Sequence, residues 1–215
     1  MLDFHCHIIP AVDDGSKSLE MSLAMLESAK SIGITKIVCT PHAKYDPVDW
    51  DAIHKAYELF RPYAEEAGIE TWLGCELYAP LLNKVSVDHI HDFCIEGTNR
   101  VLIEFHPDHM PPNPAAYMNE LRCRNVVPIL AHPERYALVQ ENPGILQDLI
   151  EIGCFLQVNG KSFSRNPFDK LSNTAKKILK LYPSAFLSSD AHRPDQYESF
   201  LKAEQKYHRA RKDLP

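Results

Sequence analysis

Nine histidine, aspartate and glutamate residues in this sequence lie at or just after apolar runs that predict β-strands. Two of them form a His-x-His pair, and the alternation of side chains along a strand places both imidazoles on one face. Single ligand-type residues then recur after the later apolar runs. The nine residues are His5, His7, Asp14, His42, Glu76, Glu104, His132, Asp190 and His192.

The chemistry that fits such a set is the binding of divalent metal ions. Five imidazoles and four carboxylates in one pocket would repel one another, or shift their pKa values strongly, unless cations were present. Mixed nitrogen and oxygen ligands suit Mn, Fe, Zn or Co and argue against a thiolate site. Nine ligands exceed what one ion uses, so the sequence predicts at least two ions and supplies enough ligands for three.

Two arginines lie next to these candidate ligands. Arg135 follows His132 in the segment His-Pro-Glu-Arg, and Arg193 follows His192 directly. A guanidinium offers planar, bidentate hydrogen bonds to phosphate oxygens. We therefore interpret both arginines as catalytic groups at the rim of a metal site that hydrolyses phosphoesters, in which the ions activate water for in-line attack at phosphorus. The alternative is that the two arginines pair with the surplus carboxylates.

The elements that must position these residues alternate between strand and helix along the whole chain. Amphipathic runs, the first over about residues 18–32, separate apolar segments of strand length. This alternation predicts an α/β fold with a parallel sheet and right-handed crossovers, which either a doubly wound sheet or a barrel satisfies. The predicted strands are Leu2–Cys6, Lys36–Thr40, Ile69–Leu73, Val101–Phe105, Val126–Ala131, Phe155–Val158 and Ala185–Ser188.

The length of the chain favours a barrel of seven strand–helix units. A barrel of eight units typically needs ~250 residues, whereas this chain has 215 and carries no linker or repeat. We expect one domain over residues 1–215. The carboxyl ends of parallel strands in a barrel meet on one face, where active sites of such folds lie, so all nine candidate ligands are expected in one pocket.

Composition excludes several classes of protein. Lys plus Arg is 23 and Asp plus Glu is 29, which gives a net charge of −6; an acidic chain without a basic stripe is a poor nucleic-acid binder. None of the six cysteines forms a C-x-x-C pair, so we expect reduced, structural thiols. The N-terminus lacks a signal-peptide pattern, and no run approaches ~20 apolar residues. We expect a cytoplasmic protein without a transmembrane segment.

One segment imitates a different phosphatase chemistry. Residues Cys94–Arg100 fit C-x-x-G-x-x-R, the phosphate-loop pattern of thiol-based tyrosine phosphatases. Such a loop needs a following helix N-terminus, which lowers the pKa of the thiol and holds the phosphate. Here a polar segment precedes the pattern and the apolar run Val101–Phe105 follows it. We therefore predict a turn into a strand and no thiol chemistry.

The candidate ligands also carry a family resemblance. The segment His5–Gly15 resembles the opening of the polymerase-and-histidinol-phosphatase (PHP) superfamily, and more narrowly the capsule-type bacterial metal-dependent protein-tyrosine phosphatases. The resemblance spans residues 1 to about 193. The other matching blocks, in order, are Thr40–His42, Gly74–Glu76, Leu102–Phe105, Ala131–Tyr136, Gln157–Asn159 and Ser189–His192.

The resemblance implies a distorted (β/α)7 TIM-like barrel with the active site at the C-terminal ends of the strands. It also implies three metal ions, usually Mn, and hydrolysis of phosphotyrosine on a cognate bacterial tyrosine kinase that controls capsular or exopolysaccharide synthesis. Asp14 is chosen over Asp13 because the matching aspartate directly precedes the glycine. By matching position, the ligand sets are His5, His7, Glu76 and Asp190; Glu76, Glu104 and His132; and Asp14, His42 and His192.

Two departures from the family pattern bear on the substrate. Ala43 stands where the family often has a second histidine, and residues 160–165 differ from the usual run of small residues. A small-molecule phosphomonoesterase of the histidinol-phosphatase type therefore stays open as an alternative. A metal-binding regulatory module without catalysis is a second alternative, which is disfavoured because no proposed ligand is missing. The sequence predicts neither the oligomeric state nor the general acid.

Overall fold

The structure of the chain, a computed structural model, describes residues 1–84, 87–164, 166 and 168–212. Arg165, the last residue of the departing segment 160–165, lies outside the described residues. The strands are β1 (Leu2–Cys6), β2 (Lys36–Cys39), β3 (His42–Ala43), β4 (Glu70–Leu73), β5 (Glu76–Tyr78), β6 (Arg100–Glu104), β7 (Val127–Ala131), β8 (Phe155–Asn159) and β9 (Phe186–Ser188). The α-helices are α1 (Leu19–Ser31), α2 (Trp50–Glu66), α3 (Pro114–Cys123), α4 (Ala137–Glu141), α5 (Leu146–Glu151), α6 (Gly160–Ser164), α7 (Lys170–Leu181) and α8 (Gln196–Lys212).

All the strand pairs are parallel and form two sheets. One sheet has the order β1-β2-β4 and the other the order β3-β5-β6-β7-β8-β9. The chain passes from the first sheet to the second twice, through the two-residue breaks Thr40-Pro41 and Gly74-Cys75, and the strands of each sheet are ordered as they occur in the sequence. The predicted α/β architecture with parallel strands is confirmed.

Side-chain contacts link the last strand to the first. A single bridge joins Cys6 to Ala191, beyond the end of β9. The buried carboxylate of Asp3 accepts hydrogen bonds from the Ser188 hydroxyl at 2.6 Å, the Ser189 amide at 2.9 Å and the Ser189 hydroxyl at 2.6 Å. Among the described residues no continuous ladder joins β9 to β1, so the structure shows parallel sheets without showing whether they close into a barrel.

Helix boundaries follow from local signals in the sequence. The Ser18 hydroxyl caps α1 by accepting a hydrogen bond from the Met21 amide, and Asp49 caps α2 in the same way through the Ala52 amide. Gly33 adopts a φ of 86° just after α1, which a residue with a side chain rarely adopts. None of the described helices has the length and apolar character that a membrane span requires.

Three elements differ from the sequence-based expectation. His42 and Glu76, expected on loops after strands, lie in the short strands β3 and β5, which pair in register with each other. Helix α7 was not predicted, although Asp169 caps it and Ala175, Ile178 and Leu179 bury one of its faces. The bounds of the seven predicted strands agree with the structure to within two residues, because polar or turn-forming residues border each apolar run.

Candidate metal centre

The structure brings all nine candidate ligands together at the carboxyl ends of the strands. They surround a cavity of about 340 Å³. His5, His7 and His132 are at most 1% exposed and contact Glu76, which lines the cavity. The six that line the cavity itself are Asp14, His42, Glu76, Glu104, Asp190 and His192.

His5 and His7 form the buried end of the cluster. Their Nε2 atoms are 3.1 Å apart, and both face Asp190 Oδ1, at 3.5 and 3.4 Å. Glu76 Oε2 lies 3.4 Å from each of the two nitrogens. Two imidazole nitrogens and two carboxylate oxygens thus point into one small space.

The opposite edges of these imidazoles are fixed by neighbouring side chains. His5 Nδ1 lies 2.8 Å from Gln157 Oε1, and His7 Nδ1 lies 2.7 Å from Asp13 Oδ2. Because an amide oxygen and a carboxylate only accept, each Nδ1 carries the proton and donates. Loss of the second proton, from Nε2, then leaves a lone pair directed at the cavity, which is the tautomer that a metal ligand requires.

Glu76 is the hub of the cluster. Its Oε1 lies 2.7 Å from His132 Nε2, and its Oε2 lies 2.9 Å from His42 Nδ1 in addition to its contacts with the first pair. One carboxylate, 1% exposed, therefore touches four imidazoles. Glu104 sits beside it, with Oε1 3.1 Å from His42 Nδ1 and Oε2 3.9 Å from His132 Nε2.

The outer part of the cluster is more open. Asp14 Oδ1 lies 3.2 Å from His42 Nε2 and 3.5 Å from His192 Nε2. His192 Nδ1 is 3.0 Å from the carbonyl oxygen of Asp190 and donates to it, which again leaves Nε2 for a ligand. A Cβ on Gly15 would lie 2.2 Å from the carbonyl oxygen of His7, so only glycine lets this loop lie against the site.

Strained backbone holds two of the candidate ligands in place. His132, after β7, has a φ of 33°, and Asp190, after β9, has a φ of 50°. Residues with side chains rarely adopt such angles, and each costs about 1–3 kcal/mol. Strain of this kind concentrates at functional sites, where the surrounding structure compensates for it.

The buried carboxylates of the cluster need nearby positive charge to stay ionised. Burial opposes ionisation of Glu76, yet the neighbouring imidazoles His5 and His132 hold the pKa of Glu76 well below its usual value. Burial likewise disfavours a charged His42, but Glu104 and Glu76 raise its pKa to about 9. Without metal ions, protonated imidazoles therefore supply the positive charge that balances these carboxylates.

Several buried polar atoms make no hydrogen bond of acceptable geometry, even where another polar atom lies within 3.1 Å of them. His42 Nδ1, Glu76 Oε2, Glu104 Oε1 and His132 Nδ1 are all in this position. Leaving such atoms unsatisfied costs free energy, and three of the four belong to one group whose ligand atoms lie within 4.8 Å of one another. These nitrogen and oxygen donors fit divalent metal ions. Within the part of the chain that the structure describes, the groups with this spacing are His5, His7 and Asp190; His42, Glu76 and Glu104; and His7, Asp14, His42 and His192.

The two arginines singled out in the sequence differ in position. Arg135 lines the cavity, and its NH1 lies 3.5 Å from Asp190 Oδ2. Arg193 is not among the described residues that line the cavity; its Nε is 3.3 Å from Asp195 Oδ1 and its side chain is 60% exposed. The structure thus brings one arginine to the site, together with Lys44 and Lys161.

Sequence reasoning missed several residues that support the site. Asn159 Nδ2 donates to Asp190 Oδ2 at 2.5 Å, and the buried Glu134 carboxylate accepts from the Asn159 amide at 3.0 Å. Lys44 Nζ lies 2.9 Å from His42 Nε2 and 3.2 Å from Glu104 Oε1. The available signal was the position of each residue at a strand end or within two residues of a candidate ligand.

The thiol pattern lies in a different environment. Cys94 follows the 3-10 turn Val87–Phe93, and the next regular element is the strand β6. Burial, with a smaller contribution from Asp92, raises the pKa of the Cys94 thiol to about 11. As predicted, the segment turns into a strand, and no helix N-terminus follows it.

Comparisons with known proteins match nearly the whole chain. At the level of single proteins, the chain is 29% identical to tyrosine-protein phosphatase YwqE of Bacillus subtilis, over 89% of this chain and 77% of that protein. It is 30% identical to the putative tyrosine-protein phosphatase CapC of Staphylococcus aureus, with the same shares covered. It is 27% identical to tyrosine-protein phosphatase CpsB of Streptococcus agalactiae, over 94% and 86%.

Solved structures give the same result. A structure from work on YwqE of Bacillus subtilis and CpsB of Streptococcus pneumoniae, reported as unique metal-dependent tyrosine phosphatases, superposes with a TM-score of 0.79 at 27% identity, covering 96% of this chain and 87% of that one. A mutant organophosphorus hydrolase of Deinococcus radiodurans shares the fold alone, with a TM-score of 0.58 at 10% identity over 100% and 87%. The family model described as capsular polysaccharide synthesis, CpsB/CapC, matches residues 1–212. The chain belongs to the CpsB/CapC family.

Proposed function

We propose that this protein is a metal-dependent protein-tyrosine phosphatase that acts on a phosphotyrosine-bearing bacterial tyrosine kinase in the control of capsular or exopolysaccharide synthesis. The observation that carries the proposal is the cluster of nine ligand-type side chains around one carboxylate, Glu76. The family model matches residues 1–212, which include all nine side chains, and the relatives named tyrosine-protein phosphatases match 89% or more of the chain.

The proposed centre holds three ions, with Mn preferred and Fe, Zn or Co as alternatives. Glu76 would contribute to two ions at once, since its two oxygens face different imidazoles. His42 faces Glu76 and Glu104 through Nδ1 and Asp14 through Nε2, so it lies at the junction of two of the sets. The proposed sets are His5, His7, Glu76 and Asp190; Glu76, Glu104 and His132; and Asp14, His42 and His192.

Such ions supply Lewis-acid stabilisation of phosphate oxygens and activation of water. The chain's own residues do the rest. Arg135, Lys44 and Lys161 line the cavity, where their positive charges attract and orient a phosphate monoester. Arg193 would join them after its guanidinium leaves Asp195. Gln157 and Asp13 hold two imidazoles in the ligand tautomer.

We further propose that the strands form a distorted seven-stranded barrel, with β3 and β5 continuing β2 and β4. The hydrogen bonds from Ser188 and Ser189 to Asp3 support closure between the last strand and the first. A barrel would keep the nine ligands on one face even though they come from distant parts of the chain.

The test measures metal content and substrate choice on the same preparation. Elemental analysis of the purified protein gives the metals bound. Rates are then compared on a phosphotyrosine peptide and on histidinol phosphate, with Mn²⁺ added. We expect more than one ion per chain and a higher kcat/KM for the peptide. A preference for histidinol phosphate would instead assign the chain to small-molecule hydrolysis, and absence of both metal and rate would remove the proposal.

A further inference from the structure

A further cavity, of about 380 Å³, is lined by residues that follow the strands β3 and β5 of the metal centre. One of its walls is the segment that leaves β3, the strand of His42, and another is the 3-10 turn that leaves β5, the strand of Glu76. Parallel strands place their carboxyl ends on one face. We name this cavity the aromatic groove and define it by Tyr45, Val48, Trp50, Leu81 and Phe93.

The aromatic groove has an apolar floor and an exposed aromatic wall. Leu81 and Phe93 are each 6% exposed and form the floor. The Trp50 ring packs edge-on against Phe93, with the centroids 5.3 Å apart. Tyr45 is 82% exposed, which is unusual for a large ring beside an apolar surface. Burying such rings stabilises a complex, and aromatic side chains dominate the energetics of interfaces.

The charged residues around the groove are paired with one another. Lys84 Nζ lies 3.9 Å from Asp46 Oδ2, and His89 Nδ1 lies 3.0 Å from Asp92 Oδ2. The polar groups at the edge of the groove therefore face one another, and its apolar floor and exposed rings favour uncharged, apolar side chains. The metal cavity next to it presents the cations Lys44 and Arg135 and favours an anion.

The chain connects the two environments within two residues. Lys44 directs its ammonium to His42 and Glu104 in the metal cavity, whereas its neighbour Tyr45 lines the groove. The chain bends at Tyr45, directly after Lys44, so the two neighbouring side chains serve different cavities. A ligand that fills both places carries a phosphate and, a short distance along, an apolar group.

We propose that the aromatic groove binds apolar side chains that flank the phosphotyrosine in the substrate polypeptide. The inference rests on the proposed phosphatase function and adds a sequence class to its substrate: phosphotyrosine segments with apolar neighbours. It also explains how an open metal site distinguishes a protein substrate from a small phosphate ester, because only the polypeptide reaches the groove.

The kinetic test uses the Mn²⁺-loaded full chain and three substrates. Two phosphotyrosine peptides differ only in having leucine or serine on both sides of the phosphotyrosine, and p-nitrophenyl phosphate has no flanking residues. We expect a KM about fivefold lower for the leucine peptide with kcat unchanged, the signature of binding energy from a non-reacting part of the substrate. Tyr45→Ala and Val48→Ser are expected to remove this difference and to leave p-nitrophenyl phosphate unaffected.

Tyr63→Ala is the matched control. Tyr63 is also a partly exposed tyrosine, 39% exposed, but it lies near the end of α2 that precedes β4, at the opposite side of the sheet. This variant is expected to keep the preference for leucine. Equal KM values for the two peptides, or a Tyr45→Ala variant that slows p-nitrophenyl phosphate as much as the leucine peptide, would overturn the groove proposal and leave the phosphatase function standing.

Fluorescence gives a readout that does not depend on catalysis. The chain has two tryptophans, and in a Trp72→Phe background all tryptophan emission comes from Trp50, which lines the groove. The unphosphorylated leucine peptide is expected to shift its emission, and the serine peptide is not. No shift with either peptide, or self-association of the chain that Tyr45→Ala abolishes, would overturn the groove proposal. Failure to hydrolyse any phosphotyrosine substrate would instead overturn the proposed function.

Discussion

Asp13 Oδ2 lies 2.7 Å from His7 Nδ1 and accepts a hydrogen bond of 3.0 Å from the backbone amide of His42. One carboxylate thus orients a buried imidazole and fixes the start of β3, where the next candidate ligand lies. Hydrogen bonding to His7 lowers the pKa of Asp13 in spite of its burial. Asp13 acts on the site through other residues, whereas its neighbour Asp14 faces the ligand atoms directly.

We expect Asp13→Asn to weaken metal binding about 10- to 100-fold, the usual cost of removing a carboxylate that supports a metal-binding histidine. The asparagine keeps the size of the side chain, so the fold is expected to survive. Mn²⁺ titration of the metal-free protein measures the affinity, with circular dichroism as the check on folding. Wild-type affinity in Asp13→Asn would contradict the orienting role.

The choice between these two aspartates illustrates how far the sequence leads. Asp13 and Asp14 are adjacent and chemically identical, and only the turn at Gly15 decides which carboxylate faces the cluster. Spacing alone predicted the strands and the face on which ligands gather, because apolar runs and strand polarity are local properties. The roles of Asn159 and Lys44 depend on contacts between distant segments, which periodicity does not encode.

Replacing Glu76 tests whether one carboxylate serves two metal ions. Because its carboxylate faces four imidazoles, Glu76→Ala is expected to lower metal content and reduce the phosphatase rate to no more than a few per cent. Elemental analysis and the initial rate on a phosphotyrosine peptide measure the two effects. Glu70→Ala serves as the control. Glu70 is an exposed glutamate at the start of β4, and its carboxylate pairs with Lys36. Full metal occupancy with substantial rate in Glu76→Ala would refute the bridging role.

Arg135→Ala and Arg193→Ala are expected to differ in how much each lowers kcat/KM. Arg135→Ala should retain the bound metal and lose about 2–4 kcal/mol of transition-state stabilisation, as for removal of a preorganised charged donor. Arg193→Ala should lose less, since Arg193 pairs with Asp195 outside the cavity. The measurement is kcat/KM together with metal content. An unchanged kcat/KM in Arg135→Ala would reduce this residue to an ion-pair partner of Asp190.

The link between β1 and β9 is tested through Asp3. Asp3→Ala leaves the Ser189 amide without its acceptor, so we expect a loss of about 1–3 kcal/mol in the free energy of unfolding. Asp3→Asn keeps the Oδ1 acceptor and is expected to be milder. Urea unfolding of the two variants and the wild type gives the comparison. Equal stability of Asp3→Ala and wild type would argue against a structural link at this position.

The difference in stability between wild type and Asp3→Asn is also expected to depend on pH. Burial raises the pKa of Asp3, and the hydrogen bonds from Ser188 and Ser189 offset it only in part. The folded state therefore binds the Asp3 proton more tightly than the unfolded state does. Wild type should lose stability relative to Asp3→Asn as the pH rises from the ordinary aspartate range through this raised pKa. A difference that is constant with pH would show that Asp3 titrates normally.

The thiol and metal routes to phosphotyrosine hydrolysis make opposite predictions for Cys94. Its pKa is raised to about 11, so at pH 7.5 only roughly one thiol in three thousand is the reactive thiolate. We expect Cys94→Ser to keep near-wild-type activity. Iodoacetamide should modify the exposed Cys123 first without inhibiting, and the rate of Cys94 modification should rise as the pH approaches the thiol pKa. A strong chelator should abolish hydrolysis, and added Mn²⁺ should restore it. Cys123→Ser is the control that separates general alkylation from any effect at Cys94. Loss of activity in Cys94→Ser, combined with indifference to the chelator, would overturn both the metal mechanism and the assignment of the nine ligands, because a thiolate nucleophile needs neither.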